Sequence, residues 1–143
     1  MSHHTEVKVE ISDPDVLVQA IIESFPFPIT KDQIEVHSEQ QDLINYYGKS
    51  THKANIIIRR ANRFGEMAAN HLFDDVGWTI GADGQQIISD YDKQYRSLGD
   101  SFAKKLKQRY AVGKAKKEAR RQGYRVKEKS IEGKVKLICE KSW

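Results

Sequence analysis

Cysteine is nearly absent: Cys139 is the only one in 143 residues. A lone thiol closes no internal disulfide and builds no cysteine-rich zinc site, so a disulfide-stapled secreted scaffold is excluded. Long apolar runs are missing too. No stretch approaches the roughly 20 residues that a membrane-spanning helix needs. The start, Met1-Ser2-His3-His4-Thr5-Glu6, lacks the basic-then-apolar order of a signal peptide. Proline is scarce, and Pro26 and Pro28 fall together, where they break both helix and ladder.

What is present is polar but foldable. Hydrophobic residues make up 38% and charged residues 31%, with a mean hydropathy of -0.68. The apolar residues fall into periodic runs, which disordered chains lack, and the length suits one domain. The formal net charge of +4 is an average over two unlike parts. Residues 1–100 hold 9 Lys/Arg and 16 Asp/Glu, a net of -7; residues 101–143 hold 15 and 4, a net of +11. Such asymmetry points to an acidic partner, nucleic acid or protein. The competing reading is that the two parts face each other inside one domain.

Periodicity supplies the elements. Val7, Val9 and Ile11 alternate with polar residues, which predicts a half-buried strand. Ser12 or Asp13 caps a following helix with Pro14 in its first turn and Val16, Leu17, Ala20 and Ile21 at helical spacing. Ile34-Glu35-Val36 reads as a short strand, residues 38–53 as a polar segment, and Ala54 to Arg60 as a buried β-branched strand. Phe64, Met67, Ala68 and Leu72 predict a short helix within 62–73. Gly77-Trp78-Thr79-Ile80 and Gln86 to Asp90 flank Asp83-Gly84, a hairpin signal. A long helix runs from about Asp100 and stops at Gly123, and a last hairpin over 124–141 turns at Glu132-Gly133. The expected fold is a single α+β domain, an antiparallel sheet covered on one side by two main helices, in the order β-α-β-β-(short α)-β-β-α-β-β.

The long helix, 100–122, carries the functional signal. Phe102, Leu106, Tyr110 and Gly113 share one face, while Ala111, Ala115 and Ala119 lie nearly opposite, so its second half is expected to kink or to meet a different neighbour. Cations crowd it: Lys104, Lys105, Lys107, Arg109, Lys114, Lys116, Lys117, Arg120 and Arg121. Such a run can neutralise phosphates or meet an acidic protein. It is equally the pattern of a solvated helix face, and cations in a last turn suit the helix dipole.

Catalytic constellations are not visible. Asp90-Tyr91-Asp92 places two carboxylates on one face of a strand or turn, as a metal site would, but reads better as the polar end of a hairpin strand. His3 and His4, adjacent on a strand, point to opposite faces and do not chelate one ion together. Cys139 reads as a small buried hydrophobe. An enzyme would need a pocket gathering Asp90, Asp92, His37 or His52.

Several short motifs, in order, resemble one family. Met1-Ser2-His3 opens the chain, with His4 where the family usually has an aromatic residue. Tyr47-Gly48-Lys49 precedes the strand Ile56-Ile57-Ile58, and Gly77-Trp78 precedes the Asp83-Gly84 hairpin with Asp90 at its end. Gln108-Arg109-Tyr110-Ala111 leads to Gln122-Gly123-Tyr124, and Trp143 closes the chain. Together they resemble the hypothetical chloroplast reading frame (number thirty-five) family of plastid and cyanobacterial genomes, a family of unknown function with bacterial and phage members. Against it, 61–73 reads as an insertion and the helix after Ala111 is more basic. The resemblance implies no catalytic residues and an accessory role in the cytoplasm or plastid stroma.

The resulting expectation is a non-enzymatic binding or adaptor protein without cofactor or metal. Its partner-binding residues are Lys104, Lys105, Arg109, Tyr110, Lys116, Lys117, Arg120, Arg121 and Arg125. An acidic protein surface is the favoured partner, nucleic acid the alternative, and no membrane is expected.

Overall fold

The computed structural model describes residues 4–8, 10–46, 48–60 and 72–141. Chain order is β1 (His4–Lys8), α1 (Pro14–Ser24), a 3-10 turn (Lys31–Gln33), β2 (Ile34–Asn45), β3 (Gly48–Ile58), β4 (Val76–Trp78), β5 (Gln85–Ser89), α2 (Asp90–Tyr95), α3 (Asp100–Arg121), β6 (Tyr124–Ile131) and β7 (Lys134–Lys141). The fold is α+β, with β1–β5 forming an antiparallel sheet in the spatial order β1-β5-β4-β3-β2. The C-terminal hairpin does not join it: β6 and β7 make a two-stranded sheet of their own. Of the short helix expected within 62–73, residues 62–71 lie outside those described, and Leu72 and Phe73 are not helical.

Strand alternation gives the sheet two buried faces. On one, Ile56, Ile58, Trp78 and Ile88 pack with Leu17 and Ile21 of α1 and Phe102 and Leu106 of α3. On the other, Ile57 and Ile87 pack with Leu43 and Ala54 in a smaller cluster. α1 begins where Asp13 accepts hydrogen bonds from the backbone N–H groups of Asp15 and Val16, with Pro14 in its first turn. No helix among the described residues is long and apolar enough to cross a membrane.

The polar stretch 38–53 is not irregular; it completes two long strands. Register shifts between Val36 and Gln41 and between Asp42 and Ile44 interrupt the pairing of β2 with β3. Bulges of that kind bend a hairpin and erase the period-two pattern from its sequence. The bent hairpin lies back over the second face of the sheet. Its tip is fastened there: Ile44 N–H donates to the Asp75 carboxylate at 2.8 Å, Tyr46 N–H to Asp74 at 2.6 Å, and Asp75 N–H to the Ile44 carbonyl at 2.9 Å. Gly77 makes room for it, since a Cβ there would stand 2.6 Å from the Ala54 Cβ.

The expectation for Asp90-Tyr91-Asp92 is corrected. β5 ends at Ser89, whose side chain caps α2 by accepting from Asp92 N–H at 3.2 Å. On a helix, residues two apart point to nearly opposite sides, so Asp90 is exposed while Asp92 is fully buried. Asp92 accepts from Phe73 N–H, Asp74 N–H and the Ser89 hydroxyl at 2.8–3.1 Å. Burial pushes its carboxyl above the usual range, and those donors pull it part of the way back. It is a tie between the 72–75 segment and α2. Cys139 is also corrected: it is exposed, because β7 belongs to a two-stranded ribbon that the main core does not cover.

Candidate binding surface

α3 positions the predicted site residues. It runs Asp100–Arg121 and turns out of the helix at Gly123, whose φ of +90° costs a glycine little. Phe102 and Leu106 are buried and Tyr110 packs against the same core. The next position on that face is Gly113, where a Cβ would meet Val16 Cγ1 at 2.7 Å, so glycine lets α1 and α3 close together. Tyr110 ends the apolar stripe in a structural role: its hydroxyl oxygen accepts from Ser12 N–H at 2.9 Å and Asp13 N–H at 3.0 Å. The second half of α3 does meet a different neighbour, the hairpin, but through Arg109 and Lys116. Ala111 and Ala115 face solvent.

A groove of about 520 Å³ runs between α1 and α3. Arg109, Lys116, Lys117 and Arg120 stand on its α3 wall, Asp15 and Glu23 on its α1 wall, and Val16, Ala20 and Gly113 are apolar or small lining. Most of those cations already have partners inside the chain. Arg109 donates through Nε to Glu23 at 2.6 Å and through Nη1 and Nη2 to Glu128 of β6. Lys116 reaches the same Glu128 at 2.5 Å, and Lys117 reaches Asp13 at 2.5 Å. Lys114 donates to the Ser12 hydroxyl at 3.0 Å, and Arg121 pairs with Glu118 at 2.8 Å.

The electrostatics follow the pairing. Hydrogen bonds from Arg109 and then Lys116 lower Glu128 from an ordinary 4.5 to about 2. Glu128 in turn raises Arg109 well above the usual guanidinium value. Lys117 holds Asp13 below the carboxylate range and is itself raised by it. The acidic body and the basic C-terminal part therefore do meet, at Glu23 and Asp13.

Of the cations left over, Arg120 is on the groove wall and the others lie elsewhere. Lys104, Lys105, Lys107, Arg120 and Arg125 are exposed and make no ion pair among the described residues. So are Lys127, Lys129, Lys134 and Lys136. The hairpin register sorts these by face, because residues directly opposite in a ladder project to the same side. Tyr124↔Lys141, Val126↔Cys139, Glu128↔Leu137 and Ser130↔Val135 make the inner face, the side of Glu128 that α3 holds. Arg125↔Glu140, Lys127↔Ile138, Lys129↔Lys136 and Ile131↔Lys134 make the outer face. Five cations and one carboxylate stand on that outer face, with two like charges directly opposed at Lys129 and Lys136. Ile131 and Ile138 are exposed among them at 45% and 37%.

A family model described as "Protein of unknown function (DUF1257)" matches residues 30–138. The chain belongs to this family. The match spans β2 to β7 and so includes α3 and nearly all of the C-terminal hairpin. β1 and α1, which supply the acidic partners Asp13 and Glu23, precede it. No curated protein and no solved structure matches the chain.

Of the nine sequence-predicted residues, Arg109, Lys116, Lys117 and Arg120 come together on the groove wall. Tyr110 pins the start of α1, Arg121 pairs within its own helix, and Lys104 and Lys105 lie toward the other end of α3. Arg125 belongs to the hairpin's outer face. Sequence reasoning missed Lys127, Lys129, Lys134 and Lys136 as a set, although the period-two spacing from Arg125 to Lys129 was the signal. The residues named for an enzyme do not converge. His37 pairs with Glu35, His52 with Glu6, and the depression lined by His52 includes neither Asp90, Asp92 nor His37.

Proposed function

We propose that this DUF1257 protein is a non-enzymatic binding protein that engages an acidic partner through the outer face of its C-terminal hairpin, aided by Lys104, Lys105 and Lys107 on α3. The observation that carries this reading is the outer face itself: five exposed cations, one carboxylate, and Lys129 opposite Lys136. Like charges directly opposed in a ladder are destabilising, and a counter-charged partner relieves them. Ile131 and Ile138 among the cations favour an acidic protein surface, since apolar side chains gain nothing from a phosphate backbone. Nucleic acid is the second reading, favoured by the ribbon shape: the duplex major groove admits a two-stranded β-ribbon. We take the family to be the plastid and cyanobacterial reading-frame family that the motifs resemble, and the site of action to be the cytoplasm or stroma.

Quadruple charge reversal on the outer face (Arg125, Lys127, Lys129 and Lys136 to Glu) tests it. Capture from the native cell, with proteins identified by mass spectrometry, should lose an acidic protein that wild type retains, while the melting curve stays unchanged. In parallel, a mixed-sequence duplex is titrated at low and moderate salt. Salt-sensitive affinity lost on reversal supports the second reading. Unchanged behaviour of the reversal variant in both assays refutes the surface.

A further inference from the structure

β1, β3 and Asp75, just before β4, bring two histidines from distant parts of the sequence onto one hydroxyl. His4 Nδ1 lies 2.8 Å from Ser50 Oγ, and His52 Nδ1 lies 3.3 Å from the same atom. The other nitrogen of each ring is already committed. His4 Nε2 is 2.8 Å from the Asp75 carbonyl oxygen, which can only accept, so Nε2 carries the proton. His52 Nε2 is 2.7 Å from the Glu6 carboxylate, which fixes the same tautomer. Both rings then present an Nδ1 lone pair toward Ser50.

One hydroxyl carries one proton, so Ser50 satisfies one imidazole and leaves the second lone pair facing an oxygen. The Ser50 Oγ also accepts from the His52 backbone N–H at 3.1 Å. An electrophile at this focus, a proton or a metal ion, resolves the conflict. The outer contacts favour the ion: metal-bound histidines characteristically donate their second N–H to a carboxylate or a backbone carbonyl, the two partners found here.

The ring geometry fits as well. The two centroids are 5.8 Å apart with the rings nearly perpendicular, at 81°. With metal–nitrogen distances of 2.0–2.1 Å, each centroid sits about 3.2 Å from a shared ion, and a 5.8 Å separation corresponds to an N–metal–N angle of about 130°. Closing the rings by about half an ångström gives the tetrahedral value. His52 and Glu6 also line an open depression of about 410 Å³ beside the pair. Among the described residues no cluster of three or more His, Cys, Asp or Glu forms a metal set, which makes this a two-imidazole site.

We propose that His4 and His52, with Ser50 between them, bind a divalent transition-metal ion of the zinc type, and that Glu6 and the Asp75 carbonyl hold the two rings in the metal-binding tautomer. The site is separate from the cationic hairpin.

Calorimetric titration of the full chain with Zn²⁺ tests it. One ion per chain is expected, with binding weakened at least tenfold by His4→Ala and by His52→Ala. Glu6→Gln, which leaves both ligands in place, should weaken it about tenfold. His37→Ala, on β2 beside Glu35, is expected to leave it unchanged. Nitrogen-detected NMR of the unaltered protein gives a second readout that needs no variant to fold: Zn²⁺ should shift the Nδ1 signals of His4 and His52 together. No saturable binding, binding that survives both alanine variants, or Nδ1 signals that do not respond to Zn²⁺ would overturn the proposal.

Discussion

Gly77→Ala should weaken the protein where the bent hairpin packs closely on the sheet. A methyl group at this position would stand 2.6 Å from the Ala54 Cβ and 3.0 Å and 3.2 Å from the two Leu43 methyls. Leu43 can change rotamer, but Ala54 has no rotamer to change, so β3 and β4 must move apart. Overpacking of this kind costs about 1–3 kcal/mol. With an unfolding entropy of about 2.1 cal/mol/K per residue, a chain of 143 residues should lose roughly 3–10 °C in Tm. The cause can be separated from a general loss of glycine flexibility by pairing the change with Ala54→Gly, which removes the opposing methyl. Alone, Ala54→Gly should cost about 1 kcal/mol through strand entropy. Together the two should cost less than their sum by about 1–2 kcal/mol, read as a coupling energy from urea melts. A Gly77→Ala protein as stable as wild type, or a strictly additive double variant, would refute the account of Gly77 as a close-contact site.

Three further outcomes are expected. The ion pairs of Glu128 are present in full above its ordinary pKa of 4.5 and are lost as pH falls toward about 2, because its folded pKa is depressed; amide exchange in β6 and β7 should quicken over that window, and Glu128→Gln should flatten the dependence. Tyr110→Phe removes the acceptor of two backbone N–H groups at the start of α1 and should cost about 1 kcal/mol, since water reaches the exposed one of the pair; a neutral result in chemical denaturation would show the contact idle. Asp92→Asn turns one accepting oxygen into an amide facing a backbone donor and should cost about 1–3 kcal/mol, with Asp90→Asn, on the exposed side of α2, as the neutral control.

The legible parts of the fold were those with one dominant local signal. Asp13-Pro14 marks the start of α1 and Gly123 the end of α3 through their own backbone geometry; Asp83-Gly84 marked the turn between β4 and β5, although the turn spans residues 81–84 and its positive φ falls on Gly81. One end of β2 and of β3 was legible, at residues 34–36 and from Ala54, but their polar lengths over 38–53 were hidden because bulges destroy the alternation by which strands are recognised. α2 was hidden behind a short capping signature, Ser89 to Asp92, at the end of an apolar strand. The histidine pair was beyond reach altogether: His4 and His52 are 48 positions apart, and only the return of the hairpin tip onto Asp75 brings them to one hydroxyl.

The charge asymmetry was legible in amount but not in disposition, and the register of one hairpin settles the disposition. Glu128 sits on the inner face, where Arg109 and Lys116 hold it, and Arg109 and Lys117 extend the same network to Glu23 and Asp13. That half of the basic segment stabilises the docking of α3 between α1 and the hairpin, as the dispersed-charge reading requires. The neighbouring residues Lys127 and Lys129 point the other way, opposite Ile138 and Lys136, and make no ion pair among the described residues. A charge placed for docking should be answered from within, and among the described residues these are not. Reversing the inner cations should therefore lower stability, and reversing the outer ones should lower partner affinity at constant stability. A surface whose reversal changed neither would belong to solvent alone.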